Sequence, residues 1–67
     1  MEINQFHSGA AVGDAITNQM LLIQKLLIKN GYKSNIYVEY VPKELSEQLK
    51  PIDSYSGNKE AILFVHH

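Results

Sequence analysis

The sequence predicts an α/β fold in which three strands and two helices alternate as β-α-β-α-β and the strands form one parallel sheet. Two observations predict it. A long amphipathic helical pattern lies between two strand-like segments, and a continuous apolar run of strand length, Ala61 to Val65, lies near the end of the chain. Strands separated by helical crossovers pair in parallel. The 67 residues fit one domain with a small core.

The first strand is predicted from Glu2 to His7, where Ile3 and Phe6 are good strand formers. Small residues with two glycines follow, from Ser8 to Asp14, and this composition is typical of a loop. Asp14 stands where the first helix begins. Its carboxylate is expected to cap free N–H groups and to favour the positive end of the helix dipole.

The first helix is predicted from Ala15 to Asn30, because its apolar residues recur at intervals of four, three and four. The stripe consists of Ile16, Met20, Ile23 and Leu27, and further leucines and isoleucines widen it. The pair Asn30-Gly31 predicts a left-handed stop. So apolar a helix needs more cover than one face of a three-stranded sheet.

The second strand is predicted from Ser34 to Val41, a segment rich in β-branched and aromatic residues. Alternation places Ile36, Val38 and Tyr40 on one face and Tyr37, Glu39 and Val41 on the other. Pro42 ends this strand and can begin a helix.

A short helix is predicted from Lys43 to Lys50, with Leu45 and Leu49 one turn apart on one face. Pro51 ends that helix, and a polar turn follows from Asp53 to Lys59. The third strand, Ala61 to Val65, shows no polar alternation, which is typical of a strand buried on both faces.

This order predicts an incomplete sheet. Two right-handed crossovers wound in one direction place both helices on the same face, so the other face and one edge strand are expected to be bare. The chain is therefore expected to be part of a larger doubly wound domain or a unit that pairs with another chain.

Composition excludes several classes of protein. The chain has no cysteine, which excludes disulfides and thiolate metal sites. Six lysines, no arginine and seven acidic residues disfavour a nucleic-acid partner. No secretory signal and no apolar run long enough for a transmembrane segment is visible, and a cytoplasmic location is expected.

Ligands of open parallel sheets bind at the carboxyl ends of the strands, and all three histidines of this chain lie at such ends. The candidate binding residues are His7, Ser8, Gly9, Gly13, Asp14, His66 and His67. The two glycines of the first loop let the backbone approach a phosphate or a sugar. The alternative is a tight strand-to-helix turn with a capping Asp14 and no ligand.

Three histidines could also bind zinc. However, adjacent side chains on a strand point to opposite faces, and no carboxylate is close in sequence, so hydrogen bonding by neutral histidines is favoured. A terminal pair, His66-His67, is also typical of a purification tag. No nucleophile motif is present. We therefore assign neither a catalytic residue, a metal ligand nor a cofactor.

Several segments taken together resemble the N-terminus of a family 4-type glycosyltransferase. They are Phe6-His7, Gly13-Asp14-Ala15-Ile16, Asn30-Gly31-Tyr32, Ser34 to Glu39 and Ile62 to His67. The resemblance follows the whole chain in order and is weakest from Lys43 to Asn58.

The resemblance implies one part of the GT-B architecture, in which two Rossmann-like domains flank the active-site cleft. It implies retaining transfer of a sugar from a nucleotide-sugar to a sugar or lipid-linked acceptor, without an essential metal. The chain would form half of the N-terminal Rossmann-like domain, on the acceptor side. It lacks the C-terminal domain with its donor-binding acidic motif, so we expect the chain alone to be inactive. The alternative is a stand-alone α/β module that forms a homo-oligomer and binds a ligand or a protein partner.

Overall fold

The protein, as a computed structural model, has residues 1–9, 13–57 and 59–66 described. The described residues form an α/β fold with one α-helix and a four-stranded sheet in which every pairing is parallel. The strands are β1 (Ile3–His7), β2 (Ile36–Val38), β3 (Leu49–Pro51) and β4 (Ile62–Val65), and the helix is α1 (Ala15–Lys29). Single 3₁₀ turns occupy Lys43–Leu45 and Ile52–Ser54.

The first helix is confirmed. It ends as the sequence predicts, because Gly31 has φ +90° and the backbone N–H of Tyr32 donates to Leu27 O at 3.0 Å. These are the features of a left-handed helix stop. Asp14 lies at the N-cap position, but its side chain makes no capping hydrogen bond, so the predicted capping role of its carboxylate is wrong.

The predicted second helix, Lys43 to Lys50, is also wrong. The chain makes one 3₁₀ turn after Pro42 and then extends into β3, which pairs with β2. The sheet therefore has four strands and not three. A short helix is weakly favoured because nucleation is costly, and Pro51 biases Lys50 towards extended backbone. The extended path also buries Leu49, which is only 2% exposed.

The strand order is β3-β2-β1-β4, and it corrects the predicted winding. From β1 the chain moves outward through β2 to β3, and it then crosses back to place β4 on the other side of β1. Because right-handed crossovers in opposite directions lie on opposite faces, the connection from β3 to β4 should cover the face that α1 leaves bare. Tyr55 lies there, since its ring packs 5.0 Å from Phe6 and 5.2 Å from Tyr37.

The core lies between α1 and the sheet. Met20 of α1 is fully buried with Ile36, Val38 and Leu49. Alternation along β2 thus directs Ile36 and Val38 to the helix, and it directs Tyr37 to the opposite face, where its ring stacks on Phe6 at 5.0 Å. These faces of β2 are as predicted, but the strand is shorter than Ser34 to Val41, and Tyr40 is 74% exposed beyond its end.

Two polar side chains of β1 are fully enclosed. Asn4 donates to Glu2 Oε2 at 2.7 Å and accepts from the backbone N–H of Asn35 at 3.0 Å. Gln5 is 1% exposed and donates to the backbone oxygen of Met20 at 2.9 Å. Buried amides are tolerated only when they are hydrogen-bonded, so these bonds fix the central strand against its neighbours.

The apolar surfaces that were expected to need cover are exposed. All four residues of β4 are exposed, although that strand was predicted to be buried on both faces. On α1, Leu22 is 58% and Leu26 50% exposed. Within the described part of the chain, no helix is long and apolar enough to span a membrane.

Candidate functional site

The reversal of strand order lies between β1 and β4, and their carboxyl ends are adjacent. The register pairs Phe6 with Val65, and the backbone N–H of His66 donates to Phe6 O at 2.8 Å. His7 and His66 therefore leave the sheet side by side. In open parallel sheets the loops part at such a reversal, and the crevice between them is where ligands bind.

A cavity of about 260 Å³ opens at this place. Its polar lining comes from His7, Ser8, Glu39 and His66, and its apolar lining from Phe6, Ile52 and Val65. It thus combines three strand ends with the crossover that follows β3. A cavity that combines apolar side chains with a few convergent polar groups can bind a small ligand.

Two other hollows are larger, but no histidine lines either of them. One of about 480 Å³ lies along α1 and is lined mainly by apolar side chains and Asn30. The other, of about 320 Å³, lies at the amino ends of the strands among Met1, Glu2, Lys33 and Glu60. The cavity at the carboxyl ends is the better candidate because it alone of these three holds histidines and lies at the strand-order reversal.

A chain of hydrogen bonds defines the state of His66. Its Nε2 lies 2.8 Å from Gln5 Oε1, while Gln5 Nε2 donates to Met20 O. A backbone carbonyl can only accept, so the amide nitrogen of Gln5 must face Met20 and its oxygen must face His66. The imidazole Nε2 must then carry the hydrogen, and in the neutral ring the lone pair is on Nδ1.

The surroundings of His66 favour the neutral ring. Burial lowers the pKa of His66 below its ordinary value of 6.5, and the nearby His7 lowers it further through charge repulsion. The ring also lies 5.6 Å from that of Phe64, tilted by 31°. At neutral pH His66 is therefore a hydrogen-bond acceptor at Nδ1 and not a cation.

His7 is held by the loop that follows it. The backbone N–H of Gly9 donates to His7 Nδ1 at 3.0 Å, and the same nitrogen contacts Gly9 O. The amide donates only to an unprotonated nitrogen, and the carbonyl accepts only from a protonated one. The backbone of Gly9 can therefore hydrogen-bond His7 Nδ1 whether or not that nitrogen carries a hydrogen, and this contact holds the imidazole ring in place.

The predicted residues are distributed unevenly around the cavity. His7, Ser8 and His66 line it, and Gly9 contacts one of its histidines. Gly13 and Asp14 are both exposed and are not among its lining residues. Gly13 has φ +80°, and a Cβ there would meet no described atom within 4 Å. Its glycine is thus required by backbone conformation. His67 and residues 10–12 of the loop lie outside the described residues.

The contributors that were not predicted as binding residues are Gln5, Phe6, Glu39, Ile52 and Val65. Glu39 could have been found, since it follows β2 at the same edge of the sheet. Gln5 gives no local signal, because only the pairing of β1 with β2 and β4 encloses it.

The cavity lining contains a carboxylate and two imidazoles but no lysine, and the chain has no arginine. Such a set can hydrogen-bond hydroxyl groups but cannot neutralise a diphosphate. Among the described residues no group of three or more histidine, aspartate or glutamate side chains is placed to hold a metal ion. The predicted zinc alternative needs His67, which is outside that set.

Comparison of the chain with protein-family models, curated proteins and solved structures gives no match.

Proposed function

We propose that this chain is the N-terminal, acceptor-side part of a glycosyltransferase that moves a sugar from a nucleotide-sugar to an acceptor. The observation that carries the proposal is the reversal of strand order between β1 and β4, with His7 and His66 at one cavity. The order β3-β2-β1-β4 is consistent with the first four strands of the doubly wound order 3-2-1-4-5-6, including its reversal. The sequence resemblance to family 4-type enzymes supports the same assignment.

The chemistry of the cavity supports the acceptor side in preference to the donor side. A nucleotide-sugar leaves as a diphosphate, whose charge needs cationic groups or a metal in the transition state. The cavity offers neutral His66 at neutral pH, Ser8 and a carboxylate instead. In this proposal His7, Ser8 and His66 bind hydroxyl groups of the acceptor, while the loop of Gly9, Gly13 and Asp14 approaches the donor. Transfer itself requires a second domain that closes the cleft.

The test has two parts. First, the coding sequence downstream of codon 67 is expressed with this chain, and sugar transfer is measured with a panel of nucleotide-sugars. Transfer that depends on His66 supports the proposal. Second, the 67-residue chain alone is titrated calorimetrically with the same panel. We expect no transfer and affinity no better than about millimolar, since the cavity lining lacks cationic lysine or arginine. Micromolar binding would place the donor site here and overturn the assignment.

The second candidate is a stand-alone α/β module that binds a small ligand at the same cavity and forms a homo-oligomer. The exposure of β4 supports it, because a second copy could cover this strand, whereas the first candidate requires a further strand of the same domain. The four side chains of β4 are 46% to 56% exposed, which is unusual for a parallel strand. A stop codon directly after His67 would support this candidate against the first.

A further inference from the structure

The two edges of the sheet differ in chemistry. At one edge, β3 has the sequence Leu49-Lys50-Pro51, and at the other, β4 has the sequence Ile62-Leu63-Phe64-Val65. Lysine and proline are the residues by which natural edge strands avoid pairing with another chain. β3 has both and β4 has neither, so β4 has the composition of a strand with a neighbour on each side.

The side chains of β4 are uncovered on both faces of the sheet. Register with Gln5 places Phe64 on the face of α1, together with Ile62. Leu63 and Val65 alternate to the opposite face. Their exposures are 46% for Ile62, 49% for Leu63 and 56% for Phe64 and Val65. An occupant of this edge must therefore supply a strand for the backbone and apolar groups on both sides.

The helix has an apolar flank of its own. Leu21, Val41 and Leu45 each pack against the core cluster, and the right-handed crossover from β1 to β2 turns the Leu21 side of α1 towards β3. At 100° per residue, Ile23 and Leu26 lie on the other side of α1, towards β1 and β4. There they line the hollow of about 480 Å³ with Leu27, Asn30 and Tyr32. This flank of the helix and the exposed strand β4 therefore lie on the same side of the molecule.

We propose that the occupant is a second copy of this chain, whose β4 pairs antiparallel with the first about a two-fold axis perpendicular to the sheet. β4 itself meets the requirements, since it has an open backbone edge and apolar side chains on both faces. It carries no charge, and the whole chain has a net charge of only −1, so two copies repel weakly. A closed two-fold contact uses the same patch twice, and the result is an eight-stranded sheet.

The available area fits a dimer. A half-exposed large apolar side chain offers on the order of 100 Å², so β4 supplies roughly half of the about 800 Å² per partner in a standard interface. The exposed flank of α1 lies on the same face in both copies under this symmetry and supplies apolar area beside the strands. The inference rests on the second proposed function. If the dimer proposal fails, sedimentation gives the mass of a monomer. If the ligand site fails, a calorimetric titration shows no binding, so the two failures are distinguishable.

Sedimentation equilibrium of the 67-residue chain tests the proposal. We expect a dimer at micromolar concentration, and we expect Leu63→Lys to weaken it at least about tenfold, as loss of a central interface contact does. The matched control is Leu22→Lys on the outer side of α1, where the side chain is 58% exposed, and it should leave the dimer unchanged. Circular dichroism verifies that both variants are folded.

Disulfide formation gives a second measurement that does not depend on adding a charge. The chain has no cysteine, and an antiparallel pair on a two-fold axis brings one residue of β4 opposite its own copy. Either Leu63→Cys or Phe64→Cys should therefore form a covalent dimer rapidly, while Tyr40→Cys, at a position 74% exposed, should not. A monomer throughout, a dimer insensitive to Leu63→Lys, or equal cross-linking at all three positions would overturn the proposal. So would a longer product of the same gene in which another strand of that product pairs with β4.

Discussion

His66 and Gln5 are joined across β1 and β4 by a contact of 2.8 Å between imidazole Nε2 and amide Oε1. The same amide donates to Met20 O of α1, so the cavity histidine is connected through one buried side chain to the helix backbone. The orientation of the ring at the cavity is thus determined by the packing of the fold. His7, by contrast, acts on His66 by lowering its pKa through charge repulsion.

The first prediction concerns the charge of His66. Gln5→Glu should raise the pKa of His66, because a carboxylate beside Nε2 favours the imidazolium. NMR titration of the imidazole Cε1–H measures the shift. Gln24→Glu is the matched control, since Gln24 also donates to a backbone carbonyl, that of Ser34 at 2.9 Å, and has no described contact with His66. An equal rise in both variants would contradict the assigned contact.

The second prediction concerns stability and pH. The folded state lowers the pKa of His66 below 6.5, so the unfolded chain takes up the proton first as the pH falls. This contribution to stability is fully present above the unfolded pKa and is lost as the pH falls through the folded pKa. The free energy of unfolding in urea should therefore be lower at about pH 5.5 than at about pH 7.5.

His66→Gln should reduce that difference between the two pH values, because the residue responsible no longer titrates. Urea unfolding of the variant at both values provides the comparison. An undiminished pH dependence in His66→Gln would assign the effect to other groups.

The third prediction concerns the core. Met20→Ala should lower the free energy of unfolding by about 2–5 kcal/mol, because it leaves a cavity among Ile36, Val38 and Leu49. Leu22→Ala, at a position 58% exposed, should change it by less than about 0.5 kcal/mol. Thermal or urea unfolding measures both. Similar losses in the two variants would mean that α1 packs through a different face.

The fourth prediction separates the two glycines of the first loop. Gly13→Ala should destabilise the fold by about 1–2 kcal/mol, since a Cβ is strained at φ +80°. Gly9→Ala should cost little, because Gly9 does not have a positive φ and a Cβ there meets no described atom within 4 Å. Unfolding curves decide between them. A greater loss in Gly9→Ala would show that the glycine at 9 is needed for a reason other than backbone strain.

Local patterns predicted the elements whose stabilising contacts are local. The period of apolar residues predicted α1, and Asn30-Gly31 predicted its end. The same reasoning failed for β3, because Leu45 and Leu49 have a spacing that fits either a helix face or a turn followed by a strand. Whether this segment forms a helix or a strand depends on its pairing with β2 and on Pro51. The spacing of two leucines contains no information about that pairing.

The candidate site was predictable to the extent that parallel strands end at one edge. This placed His7, Ser8 and His66 together before the strand order was known. The reversal that makes β1 and β4 neighbours is a property of the whole sheet. Because of this reversal, Gln5 contacts His66 and Ile52 lines the cavity. Neither residue differs locally from an ordinary strand or loop residue, so the sequence alone could not identify them.

The central position of β1 has a consequence for synthesis of the protein. The register joins Ile3 to Ile62, so β1 is made well before its second neighbour. At ribosomal speed this interval is on the order of several seconds, and sheets built from such distant pairs form slowly. Until α1 and Asn35 pack against β1, the amides of Asn4 and Gln5 stay in water. Their polarity makes the first strand, unlike β4, a poor template for premature aggregation on the ribosome.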